Sequence, residues 1–178
     1  MASGKIDQIR SESRDNDPKT TPSHANKLRG PYSAGSFARG SVFKNSKLGR
    51  ISHYGQDAQG KKAGSVMVVE FDINGQTFTA LNGGPQYKFT EAVSFQVACD
   101  SQEEIDYFWS KLSEGGEVGP CGWLKDKYGP SWQVFPSVLP KMLMDFDKNR
   151  SVRVMGAFMK MKKFDLAALE RAYDGETV

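Results

Sequence analysis

The sequence predicts an α+β fold. Two strand–helix–three-strand (βαβββ) modules form a curled mixed sheet enclosing a cleft, and a helical extension follows. Three observations carry this reading. Leu81-Asn82-Gly83-Gly84-Pro85 closes one β-hairpin, and Cys121-Gly122-Trp123-Leu124-Lys125-Asp126 opens a second. A single amphipathic helix, Gln102 to Leu112, lies between them. From Ser137 onward the apolar spacing becomes helical.

The first residues read as a leader. From 1 to about 36, Ile6, Ile9 and Leu28 are scattered without period among Ser, Asp, Asn, Lys and Pro. Its basic residues alternate with Asp7, Glu12, Asp15 and Asp17, the pattern of a solvated tail rather than a nucleic-acid arm. Order is expected from about Phe37. Residues 46–54 alternate as a strand, 55–64 form a polar loop, and 65–73 are strongly β-prone. Asn74-Gly75 then supplies a two-residue turn in which both positions need positive φ, and Gln76 to Leu81 returns.

Glu91 to Cys99 is the next strand, with Val93, Phe95 and Val97 on one face and Ser94, Gln96 and Ala98 on the other. Asp100 or Ser101 caps the helix, and Glu103 and Glu104 in its first turn favour the dipole. Ile105, Phe108, Trp109 and Leu112 fall on one helical stripe, which Gly115-Gly116 ends. The second hairpin runs 122–126, turns at Lys127-Tyr128-Gly129-Pro130, and returns over 131–135. Lys125, Asp126 and Lys127 are expected to be solvated. Helices are expected near 138–144, after Asp147 (carrying Val152, Met155, Phe158, Met159 and Met161), and from the cap Asp165 to Tyr173. The helical spacing of the methionines predicts packing against the sheet.

A chain of 178 residues, 38% hydrophobic and 11% aromatic, suits one domain with a tail and a substantial core. No apolar run approaches the ~18 residues of a membrane span, and no apolar h-region opens the chain. Two cysteines, Cys99 and Cys121, are too few for a disulfide framework, so a reducing, cytoplasmic setting is expected. The net charge of +3 is unevenly spread: residues 1–62 hold 12 Lys+Arg against 5 Asp+Glu, and residues 63–178 hold 12 against 16. The expected core is therefore mildly acidic, which argues against a nucleic-acid surface.

Setting Asn74-Gly75 over Tyr128-Gly129 aligns Val69-Glu70-Phe71 with Trp123-Leu124-Lys125, and residues 77–81 with 131–135. The identity is slight and the meaning architectural. Richer words follow: 43–55, Gly64-Ser65-Val66-Met67, Ala80-Leu81-Asn82-Gly83-Gly84-Pro85, Ser94-Phe95-Gln96-Val97, Cys121 to Gly129, Met161-Lys162-Lys163, and Ala168 to Tyr173. These resemble the PhnB-like proteins of the glyoxalase/bleomycin-resistance superfamily, also called vicinal oxygen chelate proteins, over roughly 42–175. Such sequences often bear the label demethylubiquinone 3-methyltransferase. The resemblance implies a glyoxalase-like domain over 37–178, with a first module at 37–85, a second at 91–136 and a helical extension at 137–175. It also implies a homodimer. The family's opening strand and long helix have no match in residues 1–40, so the first module is incomplete, with an open edge and a bare apolar face. Either a partner chain covers that face, or the leader folds back over it, or the gene is damaged.

Metal-binding members of the superfamily place His, Glu or Gln on inward strand positions. Here the corresponding positions hold Asn82 or its neighbours, Ser94 or Gln96, and Gln133. The histidines are two, His24 in the leader and His53 on the early strand. Neutral amides are weak ligands for a transition ion, so neither a metal nor another cofactor is expected. Asn82, Gln96 and Gln133, with Trp123 and Trp132 as apolar walls, suit a small-molecule pocket instead. Equally, these amides could satisfy neighbouring backbone groups. The cysteines lack a histidine partner and read as structural. Gly83-Gly84 precedes Pro85 rather than a helix, so the loop that would hold an adenosyl methyl donor is missing.

The reading is a binding domain for a small, partly apolar molecule, without metal. The alternatives are a metal-dependent lyase or dioxygenase of the same superfamily, the methyltransferase of the label, and a homodimer whose cleft is filled by Trp132 and Gln133.

Overall fold

The computed structural model describes residues 42–57, 60–84 and 86–176. The leader, and any strand or helix that would open the first module, lie outside them. The chain divides into two units at Gln86/Tyr87. The α+β class holds, with the strands distributed over two sheets, one antiparallel and one mixed, rather than one continuous curled sheet.

In the first unit, β1 (Ser46–His53), β2 (Val66–Ile73) and β3 (Gln76–Leu81) form an antiparallel sheet in the order β1-β2-β3. The turn between β2 and β3 is the expected one, Asn74 at φ 50° and Gly75 at φ 82°. Pairing of β1 with β2 slips between Leu48 and Ile51, so Gly49 and Arg50 form a bulge. Alternation separates the two faces. Lys47 pairs with Asp72 and Arg50 with Glu70 on one, while Val69 and Phe71 are buried on the other, where Phe71 stacks on Phe78 at 5.5 Å.

The second unit contains a complete βαβββ module. β4 (Ser94–Cys99) leads into α1 (Gln102–Ser113), followed by β5 (Glu117–Val118), β6 (Trp123–Lys125) and β7 (Ser131–Pro136). The order is β4-β7-β6-β5, with β4 parallel to β7 and the other pairs antiparallel. The Ser101 hydroxyl caps α1 by accepting from the Glu104 amide. β4 begins at Ser94 rather than Glu91, because Val93 N–H turns back to the Thr90 carbonyl. Ile105 and Leu112 of α1 pack against the sheet and are buried with Val97, Cys99, Leu124, Trp132 and Val134. Each side chain sealed this way contributes about 1.5–3 kcal/mol.

The extension comprises α2 (Leu139–Leu143), α3 (Lys148–Phe158) and α4 (Leu166–Asp174). Asp147 and Asp165 cap α3 and α4, and Gly175, left-handed at φ 86°, ends α4. Gln102 joins α1 to this layer, donating to the Phe164 carbonyl and accepting from the Leu166 amide. Met161 falls outside α3; its carbonyl accepts from Cys121 N–H, and that of Lys162 from Gly122 N–H. The expectation of packed methionines is corrected here: Met142 is buried, but Met144, Met155 and Met159 are exposed.

Candidate functional site

The second sheet has two chemically distinct faces because neighbouring strand residues point to opposite sides. The face toward α1 carries Phe95, Val97, Cys99, Leu124, Trp132 and Val134. The opposite face is organised in rows by the register. Lys125, Ser131 and Ser94 lie side by side across β6, β7 and β4, and Trp123, Gln133 and Gln96 form the next row.

Three of the expected residues, Gln96, Trp123 and Gln133, therefore share one face. Gln133 Nε2 donates to Ser94 Oγ at 2.8 Å, which fixes its amide across the β4–β7 seam. Gln96 is exposed and Trp123 half-buried. Ser131, which the residue pattern did not single out, is 2% exposed, and its Oγ has no hydrogen-bond partner among the described residues. A buried hydroxyl without a partner forfeits about 1–3 kcal/mol, so its position invites one.

Trp132 lies on the other face. Its indole packs against Phe95 with ring centroids 5.1 Å apart, and its N–H donates to Asp126 Oδ2 at 2.9 Å. Asn82 belongs to the first unit. It is buried at the end of β3, where Nδ2 donates to the Val66 carbonyl at 3.2 Å and its own carbonyl accepts from Tyr54 OH at 2.9 Å. Asn82 Oδ1 has no partner among the described residues.

Asp126 departs from the expectation of a solvated turn. It is buried, and besides the indole it accepts from Tyr128 N–H through Oδ1 at 2.8 Å. The carboxylate thus organises the β6–β7 turn from inside. Lys125 and Glu91 form an ion pair at 2.5 Å, with Lys125 the less exposed member. Their mutual hydrogen bond holds the Glu91 carboxyl below its ordinary range and lifts the Lys125 ammonium above its own. The segment bearing Glu91 crosses the same turn, since Phe89 Cδ2 comes within 3.5 Å of where a Cβ on Gly129 would stand.

Cys99 is buried and its thiol is pushed up to about 12, chiefly by burial and then by Glu104 and Asp100. It remains protonated and inert at neutral pH. Cys121 is half-buried, its Sγ 3.7 Å from the Phe158 carbonyl and 3.9 Å from Met159 Sδ. His53 is exposed on β1, and His24 lies outside the described residues. Among the described residues no three His, Cys, Asp or Glu side chains converge as a metal site. On this face Ser94, Gln96 and Gln133 offer a neutral hydroxyl and two neutral amides, a donor set that suits a transition ion poorly. No helix among the described residues is long and apolar enough to cross a membrane.

Comparison with solved structures finds a PhnB protein of Bacillus cereus, described as a putative 3-demethylubiquinone-9 3-methyltransferase. It is 32% identical, with a TM-score of 0.52 over 60% of this chain and 92% of that one. A Pseudomonas aeruginosa protein is 18% identical, with a TM-score of 0.48 over 58% of this chain and 87% of its own. The comparison with curated proteins finds no match. The family model described as 3-demethylubiquinone-9 3-methyltransferase matches residues 34–135, more than half of the chain. The protein thus belongs to the 3-demethylubiquinone-9 3-methyltransferase family of PhnB-like proteins and has their glyoxalase-like fold.

Proposed function

We propose that the sheet face formed by β4, β6 and β7 binds a small, partly apolar molecule without the help of a metal ion. The observation that carries this reading is the buried Ser131 hydroxyl, without a hydrogen-bond partner among the described residues, in a row with Lys125 and Ser94. Beside it, Gln133 and Gln96 offer amide donors and acceptors, and Trp123 offers an apolar wall. A mostly fixed set of polar groups around an aromatic surface orients a ligand without any need for general acid–base or Lewis-acid chemistry.

The methyl transfer in the family's description finds little support in the chain itself. An adenosyl donor is commonly held by a glycine-rich turn between a parallel strand and a helix. The β4–α1 connection is Asp100-Ser101, two residues without glycine, and the Ser101 side chain is used to cap α1. Binding, rather than transfer, is the function we assign to the face.

Native mass spectrometry of the purified full chain, with elemental analysis of the same sample, tests the proposal. A metal-free protein carrying an organic adduct that Gln133→Trp abolishes is expected, and the same spectrum reads the oligomeric state. A stoichiometric divalent ion would overturn the proposal in favour of a metal-dependent enzyme. So would an adduct that survives Gln133→Trp.

A further inference from the structure

Granted that this face is a binding site, we infer that its ligand is a small planar carboxylate, whose carboxylate takes the place of Glu91 on Lys125. The argument begins with what already occupies the cation. Lys125 lies in the Ser131–Ser94 row, and its ammonium is held at 2.5 Å by a carboxylate of the same chain. A carboxylate at this spot is therefore compatible with the surrounding packing. Glu91 is not part of the sheet; it belongs to the segment before β4 and is the more exposed partner, 65% against 32% for the Lys125 side chain. The fixed member of the pair is the cation, and the replaceable member is the anion.

The neighbouring groups favour the same ligand. Ser131 Oγ is buried without a partner among the described residues, and Ser94 Oγ accepts from Gln133, which leaves its own proton to donate onward. Two hydroxyl donors beside one ammonium match the several lone pairs of a carboxylate. One row away, the half-buried Trp123 offers an apolar surface for a flat body, with Gln133 beside it and Gln96 beyond Gln133. The distance between the two rows is one strand repeat of two residues, roughly 7 Å, which suits a single ring carrying a carboxylate. Glu91 thereby acts as an internal competitor. Exposed ion pairs of this kind are weak, so displacement lowers ligand affinity only severalfold.

Benzoate, benzamide and inorganic phosphate are the probes, titrated into the isotope-labelled full chain while the Trp123 indole and Gln133 side-chain resonances are followed. Benzoate should shift both, and benzamide should bind about tenfold more weakly or worse because it lacks the charge. Glu91→Gln should tighten benzoate about threefold to fivefold, and Lys125→Gln should weaken it about tenfold or more, with thermal melts verifying that both variants are folded. Equal binding of benzamide and benzoate, equal binding of phosphate, or an unchanged affinity in Glu91→Gln would overturn the carboxylate inference while leaving a small-molecule site standing. If none of the probes moves the Trp123 and Gln133 resonances, the carboxylate inference falls. If Gln133→Trp also leaves the native mass spectrum unaltered, the binding role of the face falls with it.

Discussion

β1-β2-β3 in the first unit and β5-β6-β7 in the second are both runs of three consecutive antiparallel strands, yet they are completed differently. In the second, β4 pairs in parallel with β7, and α1 covers one side of the sheet. That cover assigns each face a role: Val97, Trp132 and Val134 are sealed inward, and Gln96, Gln133 and Trp123 are left on the other side. In the first run the division is made by charge, with Lys47–Asp72 and Arg50–Glu70 on one face and Leu48, Phe71 and Phe78 on the other. The lesson is that a three-strand run specifies two faces by alternation alone, but a candidate site emerges where a helix has committed one of them to the core.

The sharpest way to break this comparison is at Gly122, where the second sheet meets the extension. Its φ is +77°, and a Cβ there would lie 2.4 Å from Phe164 Cε2 and 2.5 Å from the Val134 carbonyl oxygen. Phe164 is fully buried and Val134 N–H bonds the Gly122 carbonyl, so neither neighbour can give way cheaply. Gly122→Ala should destabilise the second unit by about 3 kcal/mol or more, the sum of overpacking and left-handed strain. All three tryptophans, 109, 123 and 132, belong to that unit, so fluorescence-detected urea unfolding reads it selectively. An unchanged midpoint would mean that the extension does not press on the sheet as described.

A second, smaller effect is expected at Asp126. Replacing it with Ala removes the acceptor for the Trp132 indole N–H and for Tyr128 N–H together. Leaving buried donors unsatisfied should destabilise by about 2 kcal/mol, with a red-shifted Trp emission as the ring is released. Asn at this position should recover a part of the loss, because its carbonyl oxygen can still accept one of the two bonds.

How much of this was legible in the residues depends on the length scale of the cause. The Asn74-Gly75 turn, the helix start after Asp147 and the Asp165 cap are local chemistry, and each stands where the sequence placed it. β5, of two residues, has no periodicity to read, and it forms only because β6 offers it Leu124 and Lys125 as partners. The start of β4 shifts to Ser94 because of a turn at Thr90 and an ion pair to Lys125, a residue distant in sequence. The site shows the same split. Trp132 and Gln133 are adjacent on one strand and so must face opposite ways, a constraint the sequence carried and that separates the two residues in the structure. The Asp126-Lys127-Tyr128-Gly129 pattern likewise signals a side chain folded back on its own turn, although only the tertiary contact with Trp132 buries it. Ser131 carried no signal, since burial of a serine at a strand start depends entirely on what crosses above it.

The smallest predicted effect isolates what crowding adds at Gly122. Gly75 in the first sheet shares its backbone sign, at φ +82°, but a Cβ there would meet nothing within 4 Å. Gly75→Ala should therefore destabilise by only about 1 kcal/mol, the left-handed penalty without the overlap. Tryptophan emission is blind to the first unit, so protection of the β2–β3 amides against hydrogen exchange is the appropriate measurement. The loss should be confined to that hairpin. If Gly75→Ala proved as damaging as Gly122→Ala, backbone conformation rather than packing would set the cost at both turns, and the tight seam between Gly122 and Phe164 would lose its place as the point on which the second sheet depends.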